Sequence, residues 1–193
     1  MNESPEELDE LVVAARGGDR AAFDELVRRT TASTYTLALR LTNNEEDARD
    51  VTQEAYMRAY RGLKNYRGDA QFTTWLYRIT ANCASTFLTT RRRHRHDEFP
   101  EGLELADARA QTDVEGGASN ADLREQLDWA LAQLPPRLRA VVVLRDVYDL
   151  PHEAIASELG ISVSAAKVRL HRARLKLRST LYPELDQVDV RAV

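Results

Sequence analysis

Between Val163 and Leu181, apolar residues return at steps of three and four: Val163, Ala166, Leu170, Ala173, Leu177 and Leu181. On a helix advancing 100° per residue they form one continuous stripe, which must be buried against other helices. Similar spacing recurs through most of the chain, while the period-2 alternation of half-buried strands is scarce. Only 8 Gly and 6 Pro interrupt the 193 residues. An all-α fold is therefore expected.

One stretch breaks the pattern. From about Arg95 to Ser119, Phe99, Pro100, Gly102, Gly116 and Gly117 punctuate an acidic segment with too few apolar residues to build a core. It reads as a flexible acidic linker, 95–119, joining two small helical domains, 1–94 and 120–182, the second followed by a tail, 183–193. Helices are expected near 6–16, 19–42, 45–63 and 70–92 in the first domain. Asn44 ahead of Glu45, Glu46 and Asp47 is a start signal, because the side chain can accept from free amides and the acids suit the positive end of the dipole. Tyr66-Arg67-Gly68-Asp69 reads as the turn before the fourth helix. In the second domain, Ser119 to Asp122 resembles a capping box before a helix to Leu134. Pro135-Pro136 can pre-set a helix running to about Val147, and two further helices span 151–159 and 163–181.

Charge is distributed unevenly. The chain has 27 Lys plus Arg against 31 Asp plus Glu, a formal net charge of −4. Residues 71–96 nevertheless carry 5 bases and no acid, and no acid occurs between Gly160 and Tyr182. Fields near a surface follow nearby charges within ~8 Å, so both blocks can attract a polyanion despite the acidic total. The longest apolar runs fall far short of the ~20 residues of a membrane span. Met1 to Glu10 holds five acids and no base, unlike a secretory or transit leader. With Cys83 as the sole cysteine, no internal disulfide is expected and a reducing cytoplasm is the natural setting.

Pro151 to Lys167 has the spacing of a helix-turn-helix: Ile155 and Leu159 on one face, Ala156 for a close crossing, Gly160 for the turn, Ile161 at the corner. The second helix is basic away from its stripe. Arg169, Arg172 and Lys176 lie opposite it, and Lys167, Arg174 and Arg178 run along one flank. A merely solvated helix gains from mixed i,i+4 pairs, whereas like charges at that spacing, such as Arg172 and Lys176, repel. DNA binding is expected, with Ser164, Ala165, Lys167, Val168 and Arg169 near base edges in a major groove and Arg172, Arg174 and Lys176 near phosphates.

The helix near 70–92 has a core-facing set, Phe72, Trp75, Leu76, Ile79, Cys83 and Phe87. Its other side carries Tyr77, Arg78, Asn82, Ser85 and Thr86, and it ends in Arg91-Arg92-Arg93. An aromatic, amides and hydroxyls beside a basic cluster suit a single strand, whose bases can stack or bond while phosphates meet Arg. The helix near 45–63 buries Ala48, Val51, Ala55, Ala59 and Leu63. It leaves Asp47, Asp50, Gln53, Glu54, Met57, Arg58 and Arg61 outside, and Met57 among acids suggests a protein docking face; a salt-bridged surface helix is the competing reading.

The sequence fits two other classes less well. A stand-alone helix-turn-helix repressor would leave Asp50 and Glu54 without a role. An enzyme lacks support, since the four His (94, 96, 152, 171) have no convergent carboxylates, phosphate loop or nucleophile pair. His94 and His96 with Cys83 make a poor zinc site, so no metal and no cofactor is expected.

Asp47-Ala-Arg-Asp-Val-Thr-Gln-Glu54, Tyr66-Arg-Gly-Asp69, Phe72-Thr-Thr-Trp-Leu-Tyr-Arg-Ile79 with Asn82, and Leu150-Pro-His-Glu-Ala-Ile-Ala through Lys167-Val-Arg-Leu-His-Arg-Ala-Arg174 resemble, in order and spacing, the extracytoplasmic-function (ECF) sigma factors of bacterial RNA polymerase. The resemblance implies that Asp47, Asp50, Gln53, Glu54 and Met57 meet core polymerase, the acidic helix docking on the β′ clamp helices, with the β subunit a further partner. It implies that Arg67, Asp69, Tyr77, Arg78, Asn82, Arg91, Arg92 and Arg93 engage the −10 promoter element, Asn82 and the 67–69 loop near a flipped-out base. Ser164 to Arg174 would read the −35 element as duplex. The linker would thread toward the polymerase active-site and RNA-exit path, and an anti-sigma factor would mask these surfaces. No membrane insertion is implied.

Overall fold

Short polar side chains set the helix boundaries of the first unit. In the computed structural model, which describes residues 5–98 and 120–183, helix α1 (Pro5–Arg16) is followed by α2 (Arg20–Thr42). The Asp19 carboxylate accepts from the amides of Ala21 and Ala22 at 2.8 and 3.2 Å, satisfying donors that have no partner inside α2. Asn43 closes α2 in a left-handed conformation, φ 56°, and Asn44 opens α3 (Glu45–Gly62) by accepting from the Asp47 amide at 3.0 Å. A single 3₁₀ turn, Leu63–Asn65, leads to the bend at Gly68 (φ 81°), and α4 (Phe72–Glu98) follows. Helix α4 thus runs past its expected end at 92 into the range read as linker; residues 99–119 lie outside the described part.

The second unit holds α5 (Asn120–Ala132), α6 (Pro136–Val142), α7 (His152–Leu159) and α8 (Val163–Leu181). Ser119 of the expected capping box lies outside the described residues. The helix expected to reach Val147 instead ends at Val142 and rewinds as a π turn, Val143–Val147, which delivers Tyr148 sideways. Asp149 then takes φ 51°, a conformation Asp tolerates better than most residues. Its carboxylate and the Leu150 carbonyl both pair with the Arg145 guanidinium, each at 3.0 Å. Gly160 supplies the left-handed corner of the helix-turn-helix at φ 62°, and the Ser162 hydroxyl caps α8 by accepting from the Ala165 amide at 3.1 Å. The described residues contain no strand, so the fold is all-α.

Burial divides into two clusters. Val12, Phe23, Leu26, Leu63, Phe72 and Leu76 close the first unit. Small residues on α3 and α4, Ala48, Ala55, Ala81 and Ala84, let those helices approach, and this second cluster continues without a break into Val141–Leu144, Ile155, Ala166 and Leu170 of the other unit. The two units therefore share a core rather than merely touching.

One buried group stands out. Arg139 is 4% exposed, and its Nε and Nη1 find no partner among the described residues. Burial pushes its guanidinium down from the ordinary arginine range to about 10, a penalty of about 3 kcal/mol against the charged form. Because the folded-state value is depressed for a base, that penalty is fully present below about pH 10 and is relieved as pH rises through it. Arg139→Met is expected to raise stability at pH 7 by about 1–3 kcal/mol, read as a higher urea midpoint, with the gain shrinking at pH 11. An unchanged or lowered midpoint at pH 7 contradicts this account.

Candidate nucleic-acid and docking surfaces

The stripe of α8 is buried as its spacing requires: Ala166, Leu170 and Ala173 face the core. Ser164, Lys167, Val168, Arg172 and Lys176 are exposed, and Ala165 and Arg169 are half-buried. Among the described residues no carboxylate pairs with Lys167, Arg169, Arg172 or Lys176. Arg174 is different. Its Nε and Nη2 grip Asp146 at 2.9 and 2.6 Å, which holds the guanidinium above its ordinary value, with slight burial opposing. The acid that the α8 sequence lacks is supplied by the π turn, so Arg174 is a tie within the unit before it is a phosphate contact.

On α4 the core-facing set behaves as expected, with Phe72, Leu76 and Cys83 buried. Burial also pushes the Cys83 thiol up to about 11, the nearby Arg58 charge pulling the other way. The opposite side is partly covered by the second unit, with Thr86 left exposed. Tyr77 meets Tyr148 edge-to-face at 4.7 Å, and the Arg78 Nε donates to Glu158 of α7 at 3.2 Å. Arg40 of α2 grips Asp128 of α5 at 2.7 Å; burial works against that cation, yet Asp128 more than compensates and holds it above its ordinary value. Asn82, Ser85, Thr86, Thr89 and Thr90 line a cleft of about 330 Å³ whose other wall is Ser157 to Gly160. Asn82 accepts through Oδ1 from the Arg58 Nη1 at 3.0 Å. Arg67 and Asp69 are exposed on the turn before α4.

On α3, Asp50, Gln53 and Met57 are exposed, Met57 by 43%. Glu54 is half-buried and accepts from the Arg58 Nε at 2.7 Å. Asp47 departs from the expected outer face: it is buried, and its Oδ2 is held by Arg91 of α4. Thus a residue read as docking and one read as DNA-binding neutralise each other. The side chains of Arg92 and Arg93 lie outside the described residues. Sequence reasoning gave no role to Asp146, Tyr148 or Glu158, and placed Arg58 on the outer face of its helix without its reach to Asn82; these partners lie 24 to 80 residues apart along the chain, and no periodicity links them.

Two family models match the chain, Sigma-70 region 2 over residues 26–94 and Sigma-70, region 4 over residues 124–177. The chain is 38% identical over 167 residues to the ECF RNA polymerase sigma factor SigE of Mycolicibacterium smegmatis, covering 85% of this chain and 64%, just under two thirds, of that relative. It is 35% identical over 192 residues to the RNA polymerase sigma-H factor of Pseudomonas aeruginosa, covering 93% of this chain and 96% of that one. Among solved structures, CnrH in complex with the cytosolic domain of CnrY is similar with a TM-score of 0.55 and 27% identity, over 89% of this chain and 94% of that one. The sigma factor RpoE of Bartonella quintana, in complex with the anti-sigma factor NepR, shares the fold with a TM-score of 0.59 at 21% identity, over 82% and 96%.

The polar tie between α4 and α7 is half-exposed, a class of ion pair that contributes ~0.2–1 kcal/mol. Glu158→Arg replaces that attraction with repulsion. It is expected to shift the population toward separated units several-fold, seen as reduced energy transfer between dyes placed on α1 and α8. Glu153→Arg, on the exposed side of α7, serves as the control. Equal transfer in both variants would show that the pair does not hold the units together.

Proposed function

Because the chain belongs to the ECF RNA polymerase sigma factor family, we propose that it joins core RNA polymerase and directs initiation at a class of promoters. The pairing of region 2 and region 4 in one chain, in that order and on two helical units, carries this reading. Helix α8 reads the −35 element as duplex through Ser164, Ala165, Lys167, Val168 and Arg169, with Arg172 and Lys176 on phosphates. Helix α4 and the turn before it take the −10 element as single strand, through Arg67, Asp69, Tyr77, Arg78 and Asn82 and the basic end of the helix. Asp50, Gln53, Glu54 and Met57 present the docking face for the β′ clamp helices, and the β subunit is a further contact.

The division of labour has a physical basis. Opening DNA needs a surface that prefers a single strand, and each stacked or pocketed base returns ~1–3 kcal/mol. That is comparable with a stacking step of ~1.4 kcal/mol per base pair. Tyr77 and Arg78 are engaged by Tyr148 and Glu158 in the closed arrangement, so capture of the −10 strand follows separation of α7 from α4. An anti-sigma partner that clasps both units would keep α4 covered; the similarity to CnrH, solved with the cytosolic domain of CnrY, supports such control here. The family is one of transcription regulators, and its work on polymerase supports a cytoplasmic setting for the chain. Among the described residues no helix is long and apolar enough to cross a membrane.

Run-off transcription with purified core enzyme tests the reading: promoter-selective transcripts are expected when the chain is added and none without it. Asp50→Arg is expected to weaken binding to core at least tenfold while the thermal midpoint stays within a few degrees. Arg169→Ala should reduce the −35 footprint, and Asn82→Ala the permanganate reactivity of the −10 region. Equal loss of both signals in each variant would contradict the split between the two units.

A further inference from the structure

Arg58 bridges two surfaces that the proposed function keeps apart. It is half-exposed on α3, with its Nε on Glu54 Oε1 at 2.7 Å, one helical turn away. Its Nη1 reaches across to α4 and donates to Asn82 Oδ1 at 3.0 Å. A guanidinium carries five N–H donors and no acceptor, so the amide end that faces it must be the oxygen. A neutral amide has one acceptor end and one donor end. Once the oxygen is turned toward Arg58, the other end, Nδ2, is what remains for a ligand. Among the described residues nothing accepts from Nδ2, although Asn82 lines the cleft beside Ser85, Thr86 and Thr89.

We propose that Arg58 is a positioning residue: by fixing the Asn82 amide with its oxygen inward, it presents N–H donors on the α4 wall of the cleft, opened once α7 moves away, and selects a captured base that carries an acceptor on its exposed edge. This rests on the reading of Asn82 as a base contact. A freely rotating amide would donate or accept equally well and so discriminate weakly among bases. A tethered one penalises a base that offers a donor, because donor would face donor. Glu54 keeps the guanidinium from turning away, since Nε and Nη1 belong to one rigid plane and are held on opposite partners.

The test uses core enzyme loaded with the full chain. Labelled single-stranded −10 oligonucleotides carry each of the four bases at each position in turn, and the dissociation constant is measured for every one. Wild type is expected to separate best from worst base at one position by at least tenfold, and Asn82→Ala should lose that preference. Arg58→Met, which keeps the aliphatic stem and removes every donor, is expected to bring the ratio at the same position within about twofold. Arg58→Lys, which keeps a donor group at the end of a flexible stem, should retain part of it.

Three outcomes overturn the proposal. If Arg58→Met keeps the wild-type ratio, the tether does not set specificity. If it weakens all four bases alike and flattens the salt dependence, Arg58 is a phosphate contact instead. If Asn82→Ala leaves every preference unchanged, base reading at Asn82 fails, and the positioning role fails with it. Only the first two leave the Asn82 reading intact.

Discussion

Helix α4 must bury two faces at once. One face, with Phe72, Leu76 and Cys83, closes the first unit, and the other, with Tyr77, Arg78 and Asn82, lies against Tyr148 and α7 of the second. A helix in that position cannot also lay its outer face on a DNA strand. The α4 surface proposed for promoter opening is therefore tied to whether the two units are together or apart, whereas Arg67 and Asp69 on the turn before it are exposed either way. The materials of the joint suit an equilibrium of that kind. Its ion pairs, Arg78 with Glu158 and Arg40 with Asp128, each have a partly exposed member, where solvent screens the attraction. The rest is an edge-to-face aromatic pair and a cluster continuing the alanine-rich seam between α3 and α4. Aromatic pairs contribute ~0.5–1.5 kcal/mol beyond their buried area, so the polar and aromatic ties tune the balance on top of the shared core.

Much of this was legible in the sequence, for identifiable reasons. Helical spacing located all the helices of the described part, because an amphipathic stripe has few ways to be buried. Asn44 and Gly160 were correctly read as a cap and a positive-φ corner, since in each case the local backbone demands that chemistry. Boundaries were less legible. Val143 to Val147 continue an apolar run that looks helical, and only packing shows that the chain rewinds there into a π turn and throws Tyr148 sideways. At the far end of α4, a run of Arg and His looked like the edge of a linker, yet the helix continues to Glu98, as a basic C-terminal stretch of helix permits.

The site was legible as faces and illegible as pairs. Periodicity put Asp47, Asp50, Gln53 and Glu54 on one side of α3, which is true of their angles. It could not show that Asp47 lies under Arg91, or that Arg58, in reach of Glu54 at i,i+4, also crosses to Asn82, because those outcomes depend on side chains from another helix. The same holds for α8. Its own sequence has six bases and no acid, and the acid that matters, Asp146, comes from the π turn in front of it.

That last pairing changes how the charge of α8 should be understood. Of the six bases, Arg174 is committed to Asp146, while Lys167, Arg169, Arg172 and Lys176 keep their charge toward solvent. A bidentate carboxylate fixes the guanidinium in one plane and lends α8 a firm attachment to the turn ahead of α7. That pair ties α8 to the π turn near its middle, while Lys167, Arg172 and Lys176 lie on the side facing away from the core. A net charge of −4 is compatible with DNA binding for this reason. Fields near a surface follow charges within ~8 Å, and α8 itself carries no acid. Local arrangement, and not the sum over the chain, decides where a polyanion will settle.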